Sequence, residues 1–314
     1  MKKRVCFMGT PLFAVGILDA LLECEIELVA VVTQPDKKVG RKQEVQAPPI
    51  KGEALKHQIP IFQPEKIGSL REKIDALDLD LIVTCAYGQF IPEDILKSPR
   101  YGAINVHASL LPKYRGGAPI HKALINGETQ TGISLMHMVK KMDAGDVLFQ
   151  GRCPILIDDD VQALHDRLMA LGADMIKEHL PKLFNHTYLS HPQDESQVSF
   201  AYNITSKEEF VHFDRPLLEI YNQIRGLHPW PVAHASFEGK KVKLYKARML
   251  NEAIQTPSGT VLGLMDQGLA ISTQDGVLLI DELQIEGKKR MSAQVFYQGL
   301  GKQWLKRKFD QHEH

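Results

Sequence analysis

Apolar residues in the first 190 positions fall into short runs that alternate with stretches of helical spacing. Residues 5–8 form one run, ending in Gly9-Thr10-Pro11; residues 12–22 then carry a helical repeat, and residues 28–32 form a second run. Strand, turn, helix, strand is the opening of a doubly wound α/β domain. The alternation continues through helical patterns at 51–57 and 70–77, an apolar run at 79–84 and another at 103–106. A helix over 119–125, strands over 132–139 and 147–157, and a long helix over 160–184 follow, the last behind three consecutive aspartates. Acidic residues suit a helix start because they face its unpaired N–H groups. The pattern predicts an α/β fold, a doubly wound and mostly parallel Rossmann-like sheet, over residues 1–187.

Residues 188–205 are polar and lack periodicity, so a linker is expected there. Beyond it, a helical pattern at 216–226 precedes five short apolar runs, at 233–237, 242–247, 259–264, 269–273 and 277–283. Short strands at that spacing predict a smaller β-barrel, OB-like, over residues 206–314, an architecture often used to bind nucleic acid. Trp230, between Pro229 and Pro231, reads as a rigid apolar plug in its core.

Three interruptions of the apolar pattern carry candidate chemistry. The polar connection over 34–49 holds Lys37, Lys38, Arg41 and Lys42 against Asp36 and Glu44. So long a polar connection in a compact α/β domain suggests a binding loop for an anionic partner, although a solvated loop has the same composition. At the strand 103–106, Asn105 breaks the apolar run and His107 follows it. Residues two apart in an extended chain project to one side, so amide and imidazole face the same space. Leu110-Leu111-Pro112 then ends the strand and Arg115-Gly116-Gly117-Ala118-Pro119 forms a turn with one fixed charge. Open α/β sheets place their chemistry at such strand ends, while a satisfied buried amide beside a capping histidine would give the same spacing. Third, Asp143 and Asp146 bracket a glycine turn between two strands. A carboxylate there either caps the turn or orients an imidazole and exchanges a proton with a bound amine. Next to these, Phe90 and Ile91 follow the strand at 79–84 and suggest an apolar wall with exposed backbone groups.

Composition narrows the function. Among 314 residues, 38 basic and 38 acidic side chains balance, which argues against general coating of DNA but leaves room for local basic patches. Lys240, Lys241, Lys243, Lys246 and Arg248 form one such group, Lys288, Lys289 and Arg290 a second, and Lys302, Lys306, Arg307 and Lys308 a third. Clustered cations suit the phosphates of a folded RNA, although each group taken singly also reads as solvated surface. Cys6, Cys24, Cys85 and Cys153 are scattered, with no pairing at metal spacing, so no metal is expected. The compact G-x-G-x-x-G fingerprint is absent, which disfavours a nicotinamide cofactor. The charged start MKKR is not followed by a long apolar segment, and nothing has the length of a membrane span. A soluble, cytoplasmic, monomeric protein is expected.

The combination Asn105-Val106-His107, Ser109-Leu110-Leu111-Pro112, Arg115 to Pro119 and Met142-Asp143-Ala144-Gly145-Asp146 resembles the folate-dependent formyltransferase family. The likeness extends through Gly9-Thr10-Pro11, the turn around Trp230, and a closing segment from Gln284 to Met291. It implies that Asn105, His107 and Asp143 form the reacting centre. Phe90, Ile91, Ser109, Leu110, Leu111 and Pro112 would contact the formyl donor, 10-formyltetrahydrofolate. The loop carrying Lys38, Arg41 and Lys42 would enter the acceptor arm of methionyl-initiator tRNA, with Arg115, Lys241, Lys243, Lys288, Lys289 and Arg290 as further tRNA contacts. A formyltransferase acting on an amino-sugar nucleotide, a formate-releasing hydrolase and a catalytically inactive RNA-binding protein would share parts of this pattern. The basic groups favour RNA.

Overall fold

The computed structural model describes residues 1–40, 43–252 and 255–312. Its elements run β1 (Lys3–Gly9), α1 (Leu12–Leu22), β2 (Ile26–Val32), β3 (Lys37–Val39), β4 (Glu44–Gln46), α2 (Pro49–Lys56), β5 (Ile61–Phe62), α3 (Arg71–Ala76), β6 (Leu81–Cys85), α4 (Glu93–Leu96) and β7 (Ala103–His107). They continue with α5 (Pro119–Ile125), β8 (Gln130–His137), β9 (Val147–Pro154), α6 (Val161–Phe184), α7 (Ser206–Glu209) and α8 (Leu217–Leu227). Last come β10 (His234–Phe237), β11 (Lys240–Leu250), β12 (Val261–Met265), β13 (Gly268–Ser272), β14 (Val277–Ile285), β15 (Met291–Ser292) and α9 (Ala293–Gln298).

The chain divides into two compact units. One comprises Met1–Pro119, Gln130–Pro154 and His165–Tyr202, the other Ile120–Thr129, Ile155–Leu164 and Asn203–His314. The first unit is built on a seven-stranded sheet in the order β5-β2-β1-β6-β7-β8-β9. Strands β5 to β7 pair in parallel, and β8 and β9 are added antiparallel. The buried residues of β1, β6 and β7 are nearly all apolar, as a sheet covered on both faces requires. Gly172 of α6 faces Ile17 of α1 and Val106 of β7, which places both helices over one face. The chain order reverses between β2-β1 and β1-β6, so the carboxyl ends of β1, β6 and β7 border the crevice where such sheets bind ligands.

Two expectations change here. The polar connection over 34–49 is a short hairpin: β3 and β4 pair antiparallel, with all six of their residues exposed. Its side chains have no buried face, so its sequence lacks the alternation that marks a strand. The polar stretch expected to be a linker pairs with this same unit, through His191 to Val147 and through Ser199 and Ala201 to Arg115 and Ala118. Its polarity comes from side chains that satisfy loop groups.

The second unit is an antiparallel, barrel-like sheet in the order β10-β11-β14-β13-β12, with β15 added to β14. All five predicted strands are present. Val242 and Leu244 of β11 point into a core with Ile280, Leu283, Phe237 and Phe296, while Lys241 and Lys243 alternate to the other side. Trp304 fills that core, stacked on Phe237 with centroids 3.7 Å apart. Trp230 departs from its expected role: it is 42% exposed and meets His121 edge-on. Among the described residues, no helix is long and apolar enough to cross a membrane.

Candidate active site

The carboxyl end of β7 supplies the first two residues. Asn105 sits beside Thr84 of β6 in the parallel register, and the Thr84 hydroxyl donates to Asn105 Oδ1 at 2.8 Å. That contact uses the amide oxygen and turns Nδ2 toward Asp143, whose Oδ1 lies 3.5 Å away. The distance marks a donor that is only loosely engaged. Two residues on, His107 is 5% exposed and its Nε2 lies 3.0 Å from the Tyr114 carbonyl oxygen. A carbonyl only accepts, so Nε2 carries a proton there. The remaining ring nitrogen, Nδ1, faces Asp143 Oδ2 at 3.7 Å.

Asp143 reaches both residues because its turn is held from three directions. Its Oδ2 accepts the Gly116 N–H at 2.8 Å. His137, at the end of β8, donates its N–H to the Asp146 carbonyl at 2.9 Å. Gln193 donates one amide group to the carbonyls of Asp143 (2.8 Å) and Gly145 (2.7 Å). Two glycines are required by close approach. A Cβ on Gly145 would lie 1.9 Å from the His137 carbonyl oxygen, and one on Gly116, at φ +126°, 2.6 Å from that of Ala201. Asn105, His107 and Asp143 therefore meet as the sequence predicts, at a strand end and a neighbouring turn.

Arg115 was expected on a tRNA-facing surface and is instead fully buried. Its Nε and Nη2 donate to Gln193 Oε1 at 3.0 and 2.9 Å, and Nη2 also to Glu195 Oε1 at 2.9 Å. A buried guanidinium needs such partners, so its charge ties the loop after β7 to the 193–195 segment. Hydrogen bonds from Lys141 and then Arg115 hold the Glu195 carboxyl below the usual range. Gln193, Glu195 and Thr84 were not picked out from the sequence. Their one signal is polarity without apolar periodicity, which solvated loops share.

The expected folate wall divides in two. Phe90 presents a ring 65% exposed, whereas Ile91 (3%), Ser109 (1%) and Leu111 (5%) are buried in protein. The Ser109 hydroxyl donates inward to the Lys113 carbonyl at 2.7 Å, and Leu111 packs with Met136 and Val147. Ile91 packs beneath the loop after β6, Ser109 and Leu111 shape the loop after β7, and Phe90 with the half-buried Leu110 and Pro112 stays more open. Because β6 and β7 are neighbours, both loops leave the same edge.

Lys38 is exposed on β3. Arg41 and Lys42 lie outside the described residues. In the barrel-like unit the predicted cations gather: Lys241 and Lys243 share one face of β11, and Lys243 pairs with Gln284 of β14. Gln284 accepts from the Tyr245 hydroxyl at 2.8 Å and donates to the Lys288 carbonyl at 2.8 Å, which brings Lys288, Lys289 and Arg290 beside them. Arg290 lies 4.1 Å over the Tyr245 ring and is ion-paired with Glu282. Arg248 is already bound by Asp281 and Asp266.

An amide, an imidazole and a carboxylate converge at the edge of a doubly wound sheet, an arrangement able to stabilise a developing oxyanion and to move a proton as an amine attacks a carbonyl. Two of the thiols are poor alternatives as nucleophiles, since Cys6 and Cys85 are buried and burial pushes the Cys6 thiol up to about 12. Residues 2–180 match the family model for formyl transferase, and residues 203–301 that for its C-terminal domain. The chain belongs to the formyl transferase family. Within it, the chain is 47% identical over 303 residues to the methionyl-tRNA formyltransferase of Halalkalibacterium halodurans, covering 96% of both chains. It is 45% identical over 299 residues to that of Staphylococcus aureus (strain MW2), covering 94% of this chain and 96% of the other. Among solved structures, the N-formyltransferase from Helicobacter canadensis, in complex with folinic acid and dTDP-3-aminofucose, has a TM-score of 0.68 at 21% identity, over 93% of this chain and 100% of that one. That likeness is one of fold.

Proposed function

We propose that the chain transfers the formyl group of 10-formyltetrahydrofolate to the α-amino group of methionyl-initiator tRNA, giving N-formylmethionyl-tRNA and tetrahydrofolate. The reading calls for a monomer working in the cytoplasm, with no DNA or membrane partner. The observation that carries it is the meeting of Asn105 and His107, at one strand end, with Asp143 of a neighbouring turn, in a chain 45% or more identical to two methionyl-tRNA formyltransferases along nearly its whole length.

The donor supplies a formyl carbonyl activated by its attachment to nitrogen. Phe90, Leu110 and Pro112 would hold the planar end of the donor. Asn105 Nδ2 acts on the carbonyl oxygen: as the amine attacks, negative charge grows there, and the amide is already aimed because Thr84 holds its oxygen. Losing one such donor costs about 3 kcal/mol of transition-state stabilisation. His107 acts on the proton. Its Nε2–H is committed to the Tyr114 carbonyl, so Nδ1 is the basic position that takes the proton from the attacking nitrogen. The imidazolium formed this way faces Asp143 Oδ2, which stabilises it until the proton passes to the leaving nitrogen. Gly116 N–H keeps that carboxylate in place. An unprotonated amine needs no side-chain nucleophile, so transfer is direct.

A sugar-directed activity is the competing reading on the same catalytic motif. The face bearing Lys241, Lys243 and Lys288 to Arg290 supports an extended phosphate backbone over a single nucleotide. The deciding experiment offers 10-formyltetrahydrofolate with either methionyl-initiator tRNA or an amino-sugar nucleotide. Formylation of the tRNA is expected; turnover of the sugar nucleotide alone would overturn the assignment.

A further inference from the structure

Two aromatic side chains stand in water beside the loop that holds Asp143. Phe200 is 47% exposed and Tyr202 62% exposed. Their rings are parallel, with 2° between planes and 5.4 Å between centroids. Between them Ala201 is fully buried. Its N–H donates to the Arg115 carbonyl at 2.7 Å and its carbonyl accepts from Ala118 N–H at 2.9 Å. An extended backbone pinned this way turns residues 200 and 202 outward on one side. It also ties them to the Arg115–Ala118 loop, whose Gly116 N–H binds the reactive carboxylate. Neither ring has a part in the chemistry described above.

We propose that Phe200 and Tyr202 are a stacking platform for the unpaired terminal base of the aminoacylated acceptor end. The inference rests on the proposed function, because only a substrate that carries a base close to its amine would need the platform. In an aminoacyl-tRNA the amino acid is esterified to the last ribose. Delivering its amine to Asn105, His107 and Asp143 brings that ribose and its base to the surrounding loops. A base freed from pairing presents a flat π face, and a parallel aromatic pair offers a matching one with no demand on sequence. The site makes no use of charge, so it supplies what the cationic face of the other unit does not: a hold on the single-stranded end itself.

The test uses the full chain with Phe200 and Tyr202 both replaced by alanine, by leucine, or exchanged as Phe200→Tyr with Tyr202→Phe. Steady-state kinetics are read for methionyl-initiator tRNA and for the folate donor, and a tRNA with 2-aminopurine as its terminal base reports stacking by fluorescence quenching. The alanine pair is expected to raise KM for the tRNA about tenfold, with kcat and the donor KM within about twofold of wild type, and to abolish the quenching. The aromatic exchange restores both; leucine, which keeps apolar area but no ring face, does not. An unchanged tRNA KM in the alanine pair, rescue by leucine, or an equal rise in the donor KM overturns the platform. Failure of the wild-type chain to formylate methionyl-tRNA at all overturns the underlying functional reading, and the platform falls with it.

Discussion

Replacing Gln193 by leucine asks how the acid of the site is held. The wild-type amide donates to the Asp143 and Gly145 carbonyls, at 2.8 and 2.7 Å, and accepts from Arg115 Nε and Nη2, at 3.0 and 2.9 Å. Leucine removes all of these and leaves a fully buried guanidinium held by Glu195. A hydrogen bond to a charged group contributes about 1.5–3 kcal/mol and a neutral one about 1. With Gln193 only half buried the low ends apply, and losing two bonds to a charged group and two neutral ones should cost the variant about 4 kcal/mol of stability. Displacing a reacting group by an ångström costs on the order of 100-fold, so kcat is expected to fall about 10- to 100-fold while both KM values stay within about twofold. Gln193→Glu separates the two functions. It keeps an acceptor for Arg115 but turns an oxygen toward two carbonyls, so it should lose at least as much rate with a smaller loss of stability. Urea unfolding and single-turnover formyl transfer measure the two quantities. A leucine variant that transfers at the wild-type rate would show that the turn holds Asp143 without the clamp.

Other consequences follow from the same geometry. Gly116→Ala places a Cβ against the Ala201 carbonyl at a positive φ; it should cost about 1–3 kcal/mol in unfolding experiments and lower kcat, and unchanged kcat would free Asp143 from dependence on that N–H. Burial holds the His137 imidazole below its ordinary pKa, with the Asp146 carboxylate pulling the other way. As pH falls below about 6.5 the unfolded chain takes up a proton that the folded chain refuses, so stability drops until the folded pKa is passed. His137→Gln should flatten the profile of unfolding free energy in that window, and an unaltered slope would refute the assignment. Replacing Lys241 and Lys243 together by alanine should weaken methionyl-tRNA binding and reduce its salt slope by about 1–2; an unchanged slope would take them off the phosphates.

The doubly wound start was legible because β1, α1 and β2 each bury one face or two, and burial imposes the periods that the sequence displays. Asn105 and His107 stood out as polar residues in an apolar strand, and Asp143 as an acid in a glycine turn. What the sequence did not disclose is long-range. Gln193 lies 50 residues from Asp143 and 78 from Arg115, and a side chain that acts by satisfying distant backbone has no local signature. Arg115 misled for the same reason: a charge in a glycine-rich turn reads as surface until a partner elsewhere in the chain is seen to bury it. The β3–β4 hairpin escaped because exposure on all sides leaves no alternation to find.

The account stands on an amide aimed at a carbonyl oxygen by its neighbour on β6. Its most direct test is the single-turnover rate of formyl transfer to methionyl-initiator tRNA by Asn105→Ala at saturating donor. A fall of about 100-fold or more, with donor affinity within about threefold of wild type, is predicted. Transfer within a few fold of wild type would contradict it.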